Sequence, residues 1–243
     1  GLPISRPEWQ ILFQEVEQFL KRETNLSGIS ARPITGGEEG RLAWLGLSRS
    51  ENRPSEFAAV EAGGATVQLA VGKSGDGSPT VEVATDPLGQ DVIFEHFMQG
   101  SLSKSFEVCF SPRHLERQNG PRCIELLSRE VFQASAVRRL AEKAAPQRLF
   151  GLGLSFGELF RSYPAAPPWT RKTDRVMHDK LSFESNAQLT SLLCPLSDAE
   201  IKAYAPNALA IQKAKSSRAP TTPGRACYYL AYRTALLDAI RHV

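Results

Sequence analysis

Apolar residues recur every three or four positions near the start of the chain. This spacing places them on one face of a helix. Pro7 suits the first helical turn, where its missing N–H costs nothing. The pattern therefore predicts an amphipathic helix over residues 7–22, whose apolar face consists of Trp9, Leu12, Phe13, Val16, Phe19 and Leu20.

The apolar period then shortens to two, which is typical of strands with one buried face. Leu42 and Trp44 begin the first predicted strand, and two further runs at 57–62 and 67–71 flank the pair Gly63-Gly64. A tight primed turn needs positive φ at both central positions, so two glycines between such runs indicate a β-hairpin.

Two more short runs continue this pattern. Val81 and Val83 predict one strand, and the alternation of Phe106, Val108 and Phe110 predicts another. The stretch between them, 86–100, fits either a strand or a helix face, and we favour the helix. The whole segment predicts a meander of antiparallel strands.

From residue 121 the period becomes helical. One long helix is predicted to 144, and the Ser-x-x-Glu pattern that begins a helix occurs at Ser155 and again at Ser197. Thr222 before Pro223 predicts the start of a last helix. The fold class is therefore α+β, with an N-terminal helix and a small antiparallel sheet followed by a largely helical C-terminal half. We expect regions 1–120 and 121–243 to pack as one globular unit.

The net charge of the whole chain is small, but the two halves of the chain differ in charge. The 243 residues carry 29 basic and 26 acidic side chains, yet residues 1–100 hold 8 basic against 14 acidic ones, and the remainder holds 21 against 12. A polarised chain of this kind can orient against an acidic partner, although the two halves can equally neutralise each other. No run of about 18 apolar residues is present, so no membrane-spanning helix is predicted.

The four cysteines are Cys109, Cys123, Cys194 and Cys227. They form no C-x-x-C pair and lie far from histidines at finger-like spacing, so no zinc finger or thioredoxin-type motif is present. We expect four buried, reduced thiols in a cytoplasmic protein. A targeting segment removed before Gly1 remains compatible with this expectation.

Two features are candidates for catalysis. Residues 153–157 match G-x-S-x-G, which in α/β-hydrolases places a nucleophilic serine on a strained turn, although helix capping alone explains Ser155. Asp174 and His178 are four residues apart, so on a helix the acid could orient the imidazole as a base, although a solvated helix face explains them equally well. The glycines near 151–157 depart from the dinucleotide fingerprint. No cofactor and no metal site are predicted.

The C-terminal third combines cations with aromatic rings, which suits single-stranded nucleic acid. The leading hypothesis is therefore a non-catalytic binding or assembly protein that engages nucleic acid or an acidic protein surface. A basic face that only keeps the protein in solution explains the same composition. The alternative is a small-molecule enzyme, such as a hydrolase, that uses Ser155 or His178 in a pocket between sheet and helices. Oligomeric state is beyond this pattern. The predicted binding residues are Trp169, Arg171, Lys172, Lys213, Lys215, Arg218 and Arg225.

Overall fold

The computed structural model describes residues 7–24, 26–49, 56–73, 78–102, 104–109, 119–146, 148–152, 186–188, 190–191, 194 and 224–241. Its elements follow in chain order. They are α1 (Pro7–Thr24), α2 (Gly36–Ser48), β1 (Glu56–Ala62), β2 (Val67–Lys73), β3 (Thr80–Asp86), α3 (Gln90–Met98), a 3₁₀-helix (Lys104–Cys109), α4 (Gly120–Leu126), a π-helical turn (Leu127–Phe132), α5 (Ala136–Ala144), β4 (Leu149–Leu152) and α6 (Gly224–Arg241). The predicted α+β fold class is confirmed.

The sheet has four strands in the order β3-β2-β1-β4. β1 pairs antiparallel with β2, and β2 pairs antiparallel with β3, as the meander predicts. The tight primed turn predicted at Gly63-Gly64 is wrong, because the loop spans residues 63–66 and neither glycine has a positive φ. β4 pairs parallel with β1, so the sheet is mixed rather than purely antiparallel. A parallel neighbour needs a long crossover connection, and α3, α4 and α5 lie within this one.

The two faces of the sheet are buried against different helices. Ala58, Val60 and Leu69 belong to a large apolar core with α3, α4, α5 and α6. Phe57, Ala59 and Ala70 of the other face pack with Trp44 of α2 in a smaller core. Both faces of the sheet are therefore covered, and successive residues of β1 point alternately into the two cores.

The predicted strand at Leu42 and Trp44 is wrong, because both residues belong to α2. Thr35 accepts a hydrogen bond from the Glu38 N–H, and the Glu38 carboxylate accepts one from the Thr35 N–H. This capping box supplies partners to the orphan donors of the first turn. Trp44 is fully buried, and its indole N–H donates to the Phe57 carbonyl over 2.9 Å.

The predicted strand at 106–110 is also wrong, because residues 104–109 form a 3₁₀-helix. Phe106 is fully buried there, and Cys109 is bonded to Cys123 of α4. The segment 104–109 is therefore fixed to α4, whereas the alternation predicts that it pairs with the sheet.

The single long helix predicted after residue 121 is divided. α4 widens into the π-helical turn, and Ser135 then caps a new helix by accepting from the Arg138 N–H. Asp86 at the end of β3 accepts from the N–H groups of Ala136 and Val137. The Ser135 hydroxyl and the Asp86 carboxylate both accept from the first turn of α5, so α5 begins as a helix of its own and is fixed against β3.

The predicted helices at the start of the chain, at 86–100 and after residue 223 are confirmed as α1, α3 and α6. The apolar face of α1, however, is solvent-exposed at Leu12, Val16 and Phe19. The helix starts predicted at Ser155, Ser197 and Thr222 lie outside the described residues, and the division at residue 120 stays a prediction.

The expectation of four reduced thiols is wrong. Cys109 is bonded to Cys123, and Cys194 is bonded to Cys227 at the start of α6. Burial in an apolar core is as typical of a disulfide as of a free cysteine, so the sequence pattern did not distinguish the two. Within the described ranges, no helix is long and apolar enough to cross a membrane.

Candidate functional site

The candidate residues from the sequence do not come together in the described structure. Ser155, Asp174 and His178 lie outside it, as do the predicted binding residues between Trp169 and Arg218. Arg225 belongs to the first turn of α6. Their proposed roles stay predictions. The described residues instead converge at the turn end of the β1–β2 hairpin.

Two carboxylates and one amide meet on the α2 side of this hairpin. Glu61 and Gln68 are paired in register across β1 and β2, so they lie side by side on one face. The fully buried Gln68 amide donates to the Glu39 carboxylate over 2.7 Å and to the Thr66 hydroxyl over 2.9 Å. Glu39 lies in the first turn of α2. The group Glu39–Glu61–Gln68, with Thr66, is called the carboxylate cluster below.

Burial perturbs the acidity of the cluster. The pKa of Glu61 is raised, first by removal of its carboxyl from water and second by the nearby charge of Glu39. Two close carboxylates ionise together only at an electrostatic cost, and this cost adds to the effect of burial on Glu61. Perturbed carboxyl groups of this kind are common at catalytic sites.

The start of α2 holds Glu39 in place. Glu38, its neighbour, is engaged by the capping box and by an ion pair with Arg32. The Arg32 hydrogen bond, followed by the one from the Thr35 N–H, lowers the pKa of Glu38 to about 2. Glu38 is thus a structural anion, and Glu39 alone of the two points at the hairpin. At Gly40, a Cβ would lie 2.7 Å from Val83 Cγ1, so glycine allows α2 to approach the sheet this closely.

The carbonyl groups of the loop between β1 and β2 accept hydrogen bonds from the start of α3. The N–H groups of Gly89, Gln90 and Asp91 donate to the carbonyls of Ala65, Gly63 and Gly64, at 2.9 to 3.1 Å. No cis peptide occurs among the described residues. A trans peptide points its C=O and the following N–H in opposite directions. The N–H groups of residues 64–66 therefore point away from α3.

These three N–H groups, called the donor row below, point to the side of the sheet opposite to α3. The packed core with α3 lies on the opposite face of the sheet from Glu61 and Gln68, so the donors and the carboxylates share one side. Successive N–H groups in a turn form an anion-binding nest. Gly64 suits this loop because a Cβ there would lie 2.5 Å from Asp91 Oδ2.

Glu39 and Glu61 alone supply too few ligands for a hard cation, so such a cation would also need oxygen atoms from a substrate. No group of three or more His, Cys, Asp or Glu side chains suited to a metal occurs in the described ranges. Mg²⁺, however, is commonly held by one or two carboxylates, water and phosphate oxygens. The arrangement can therefore bind a phosphate group in the donor row with its charge balanced by a cation at Glu39 and Glu61.

Sequence reasoning missed this site, although signals for it were present. Thr35-Gly36-Gly37-Glu38 is a capping-box pattern of the same kind as those at Ser155 and Ser197, and it marks a helix start directly before Glu39. Gly63-Gly64 was interpreted only as a turn. That the turn and the helix start meet depends on the packing of α2 across the sheet.

A shallow pocket of about 500 Å³ lies at the other end of the sheet, lined by residues that include Glu56, Lys73 and Glu82. Its charged side chains are paired, Lys73 with Glu56 and Lys143 with Glu82. Because these charges neutralise each other, the pocket has no chemistry comparable to the carboxylate cluster.

The fold resembles those of solved phosphatase structures. The crystal structure of the type II variant of the Aquifex aeolicus Ppx/GppA phosphatase superposes with a TM-score of 0.56 at 18% identity, covering 93% of this chain and 63% of that one. An Aquifex aeolicus member of the Ppx/GppA protein family gives 0.55 at 20% identity, covering 93% and 62%. A further structure of the Aquifex aeolicus PPX-GPPA enzyme gives 0.51 at 19% identity, covering 93% and 63%. No family model matches the sequence.

These similarities correct the leading hypothesis from the sequence. The prediction of a non-catalytic protein that binds nucleic acid or an acidic protein surface is wrong, because the structures that share this fold include a Ppx/GppA phosphatase and a PPX-GPPA enzyme. Basic residues interleaved with aromatic rings are a compositional signal and carry no information on fold. The hydrolase alternative agrees better with the comparison. The chain spans less than two thirds of the length of these structures.

Proposed function

We propose that this chain is a phosphatase-type hydrolase that uses the carboxylate cluster and the loop between β1 and β2. The observation that carries the proposal is the hydrogen bond from Gln68 to Glu39, which orients one carboxylate beside the donor row. A base that is oriented by a third group and faces an anion-binding nest has the parts needed to bring water to a phosphate. The shared fold with phosphatases supports this reaction class.

Glu39 is the proposed general base. One of its oxygens accepts from Gln68, and the other is available to take a proton from water. The water oxygen then forms a bond to phosphorus, and the bond from phosphorus to the leaving-group oxygen breaks with its electron pair on that oxygen. The N–H groups of residues 64–66 stabilise the charge on the transferred phosphoryl oxygens.

Glu61 is the second functional carboxylate. Because its pKa is raised, it keeps its proton to a higher pH than an ordinary glutamate does. When Mg²⁺ is present with substrate, Glu61 would help to hold it, and the cation would neutralise part of the phosphate charge.

The experiment is an assay of phosphate release with the purified chain. Pyrophosphate, ATP and p-nitrophenyl phosphate serve as probes, with Mg²⁺ and with EDTA. We expect Glu39→Gln to lower kcat by about 10²- to 10⁴-fold, the usual contribution of a general base. Glu56→Gln is the matched control, because it lies on the same strand as Glu61 but at the other end, in an exposed pair with Lys73.

Two outcomes would contradict the proposal. Failure of the wild-type chain to release phosphate from every probe would exclude the reaction, and full activity of Glu39→Gln would exclude the site. Labelling by a fluorophosphonate would instead support the serine hydrolase that the sequence motif at Ser155 favours.

The cytoplasmic location expected from the sequence stays a prediction. Two disulfides in the described chain weigh against it, because thiols are kept reduced in the cytosol. We therefore favour a compartment that permits disulfide formation.

A further inference from the structure

Three buried tyrosines of α6 converge on the segment that begins α3. The Tyr228 hydroxyl donates to the Gln90 carbonyl over 2.7 Å, and the Tyr232 hydroxyl donates to the Leu88 carbonyl over 2.6 Å. The Tyr229 hydroxyl donates to the Asp91 carboxylate over 3.1 Å. Tyr228 and Tyr232 are fully buried, and Tyr229 is 8% exposed. Residues 228, 229 and 232 share one face of the helix.

The segment they hold is the one that orients the loop between β1 and β2. Gly89, Gln90 and Asp91 donate their N–H groups to that loop, and the Val92 N–H adds a second bond to the Gly64 carbonyl. Each bond received by a loop carbonyl turns the following N–H away from α3. The three tyrosine hydroxyls therefore bond the segment that in turn bonds the loop with the donor row.

Apolar burial alone does not require these hydroxyls. A phenylalanine would fill the same volume in this core, and a buried hydroxyl must be hydrogen-bonded to avoid a desolvation cost. Burial, together with the charges of Asp91 and Asp86, raises the pKa of Tyr232, so its hydroxyl remains a proton donor throughout the physiological range. The three residues that accept from these hydroxyls all lie within the short segment 88–91.

We propose that Tyr228, Tyr229 and Tyr232 form a positioning clamp for the phosphate-binding loop. The clamp fixes residues 88–91. These residues in turn fix the carbonyls of residues 63–65. The N–H groups of residues 64–66 are thereby directed at the phosphate. None of the three tyrosines touches the substrate. This inference rests on the proposed phosphatase function and extends it to α6, which lies across the sheet from the carboxylate cluster.

The test compares Tyr228→Phe and Tyr232→Phe with the wild-type chain. Each variant loses one hydroxyl and retains its ring in the core. We expect amide hydrogen exchange at residues 89–92 to accelerate by about fivefold or more, as the loss of one hydrogen bond implies. We expect kcat/KM to fall by about tenfold or more with a higher KM, because misaimed donors bind the phosphate group less tightly in the substrate and in the transition state.

Thr234→Val is the matched control. Thr234 is a buried hydroxyl of the same helix that bonds Thr190 and the Leu230 carbonyl, so its removal perturbs α6 at a point without contact to residues 88–91. A purely structural role of α6 predicts equal effects of all three variants. The clamp predicts that Thr234→Val leaves kcat/KM and the exchange of residues 89–92 unchanged.

A third measurement separates this inference from the proposed function. The dissociation constant of inorganic phosphate, measured by calorimetry, should rise by about tenfold in the two tyrosine variants and remain unchanged in Thr234→Val. A wild-type chain that binds phosphate but releases none from the probes would overturn the proposed function and leave the clamp to be decided by binding and exchange. Unchanged exchange, or faster exchange with unaltered phosphate affinity, would overturn the clamp. A wild-type chain that does not bind phosphate would overturn both.

Discussion

At the scale of single residues, the distinguishing feature of this chain is a half-buried carboxyl group in a sheet. Glu61 occupies a position of β1 at which its neighbours on the same face, Phe57 and Ala59, are buried and apolar. Burial of an ionised carboxylate at this position is unfavourable, and this is why the pKa of Glu61 is raised. Such a residue is better explained by chemistry than by stability.

The pH dependence of stability should report this cost. The folded pKa of Glu61 lies above its value of about 4.5 in the unfolded chain, so the folded state retains a proton that the unfolded state releases as pH rises through that range. The stabilisation is complete below the unfolded pKa and is lost as pH rises through the folded pKa. Glu61→Gln should therefore raise Tm at pH 7 relative to the wild type, and the gain should shrink toward pH 4. Calorimetric melts at both pH values, with Glu56→Gln as control, would show a constant difference if this interpretation were wrong.

At the scale of elements, the helix starts decide where the chain turns. α2 begins at a capping box and α5 begins at Ser135 with help from Asp86. Asp86 also ends β3, so one carboxylate couples the last strand of the meander to the helix that leads to β4. The parallel pairing of β4 with β1 follows from this connection.

Asp86→Ala should destabilise the fold more than an ordinary cap substitution. Two helix N–H groups would lose a charged acceptor, and caps contribute about 1 kcal/mol, with bonds to charged groups at about 1.5–3 kcal/mol. We expect a loss of about 2 kcal/mol in urea unfolding. Asp86→Asn, which retains one acceptor oxygen, should recover part of it. A loss equal to that of Glu82→Ala, an exposed neighbour on β3, would show that the cap contributes nothing.

At the scale of the whole molecule, two disulfides bring distant segments into one core. Cys109–Cys123 ties the 3₁₀-helix to α4, and Cys194–Cys227 ties α6 to a segment 33 residues earlier. A Cβ on Gly120 would lie 2.8 Å from Cys194 Sγ, so the start of α4 packs directly on the second bridge. Each bridge thus fixes one of the helices that cover this face of the sheet, α4 or α6, to another segment of the chain.

Thiol blocking should leave the native chain unmodified. Mass spectrometry after treatment with an alkylating agent in denaturant should show no adducts, and prior reduction should give four. Loops of 14 and 33 residues correspond to about 3 kcal/mol or more each in the chain-entropy model, so a reducing agent should lower the unfolding midpoint substantially. Four adducts without reduction would restore the reduced thiols that the sequence pattern favoured.

The sequence by itself determined those features that depend on neighbours along the chain. Period and punctuation identified α1, the hairpin around Gly63-Gly64, α3 and α6, because each is encoded within about 20 residues. Local patterns failed where a distant group competes, as for Trp44, whose indole finds the Phe57 carbonyl from a helix rather than a strand. The disulfides and the parallel strand also join segments that no local rule pairs.

The candidate site is a product of tertiary structure alone. Glu39, Glu61 and Gln68 are 22 and 7 residues apart in the sequence, and each is an ordinary polar residue in its own local pattern. Only the packing of α2 on the hairpin places the two carboxylates together. The loop carbonyls are held by the start of α3, which is itself held by the tyrosines of α6. A side chain's chemistry is set by its surroundings, and those surroundings exist only when the chain has folded.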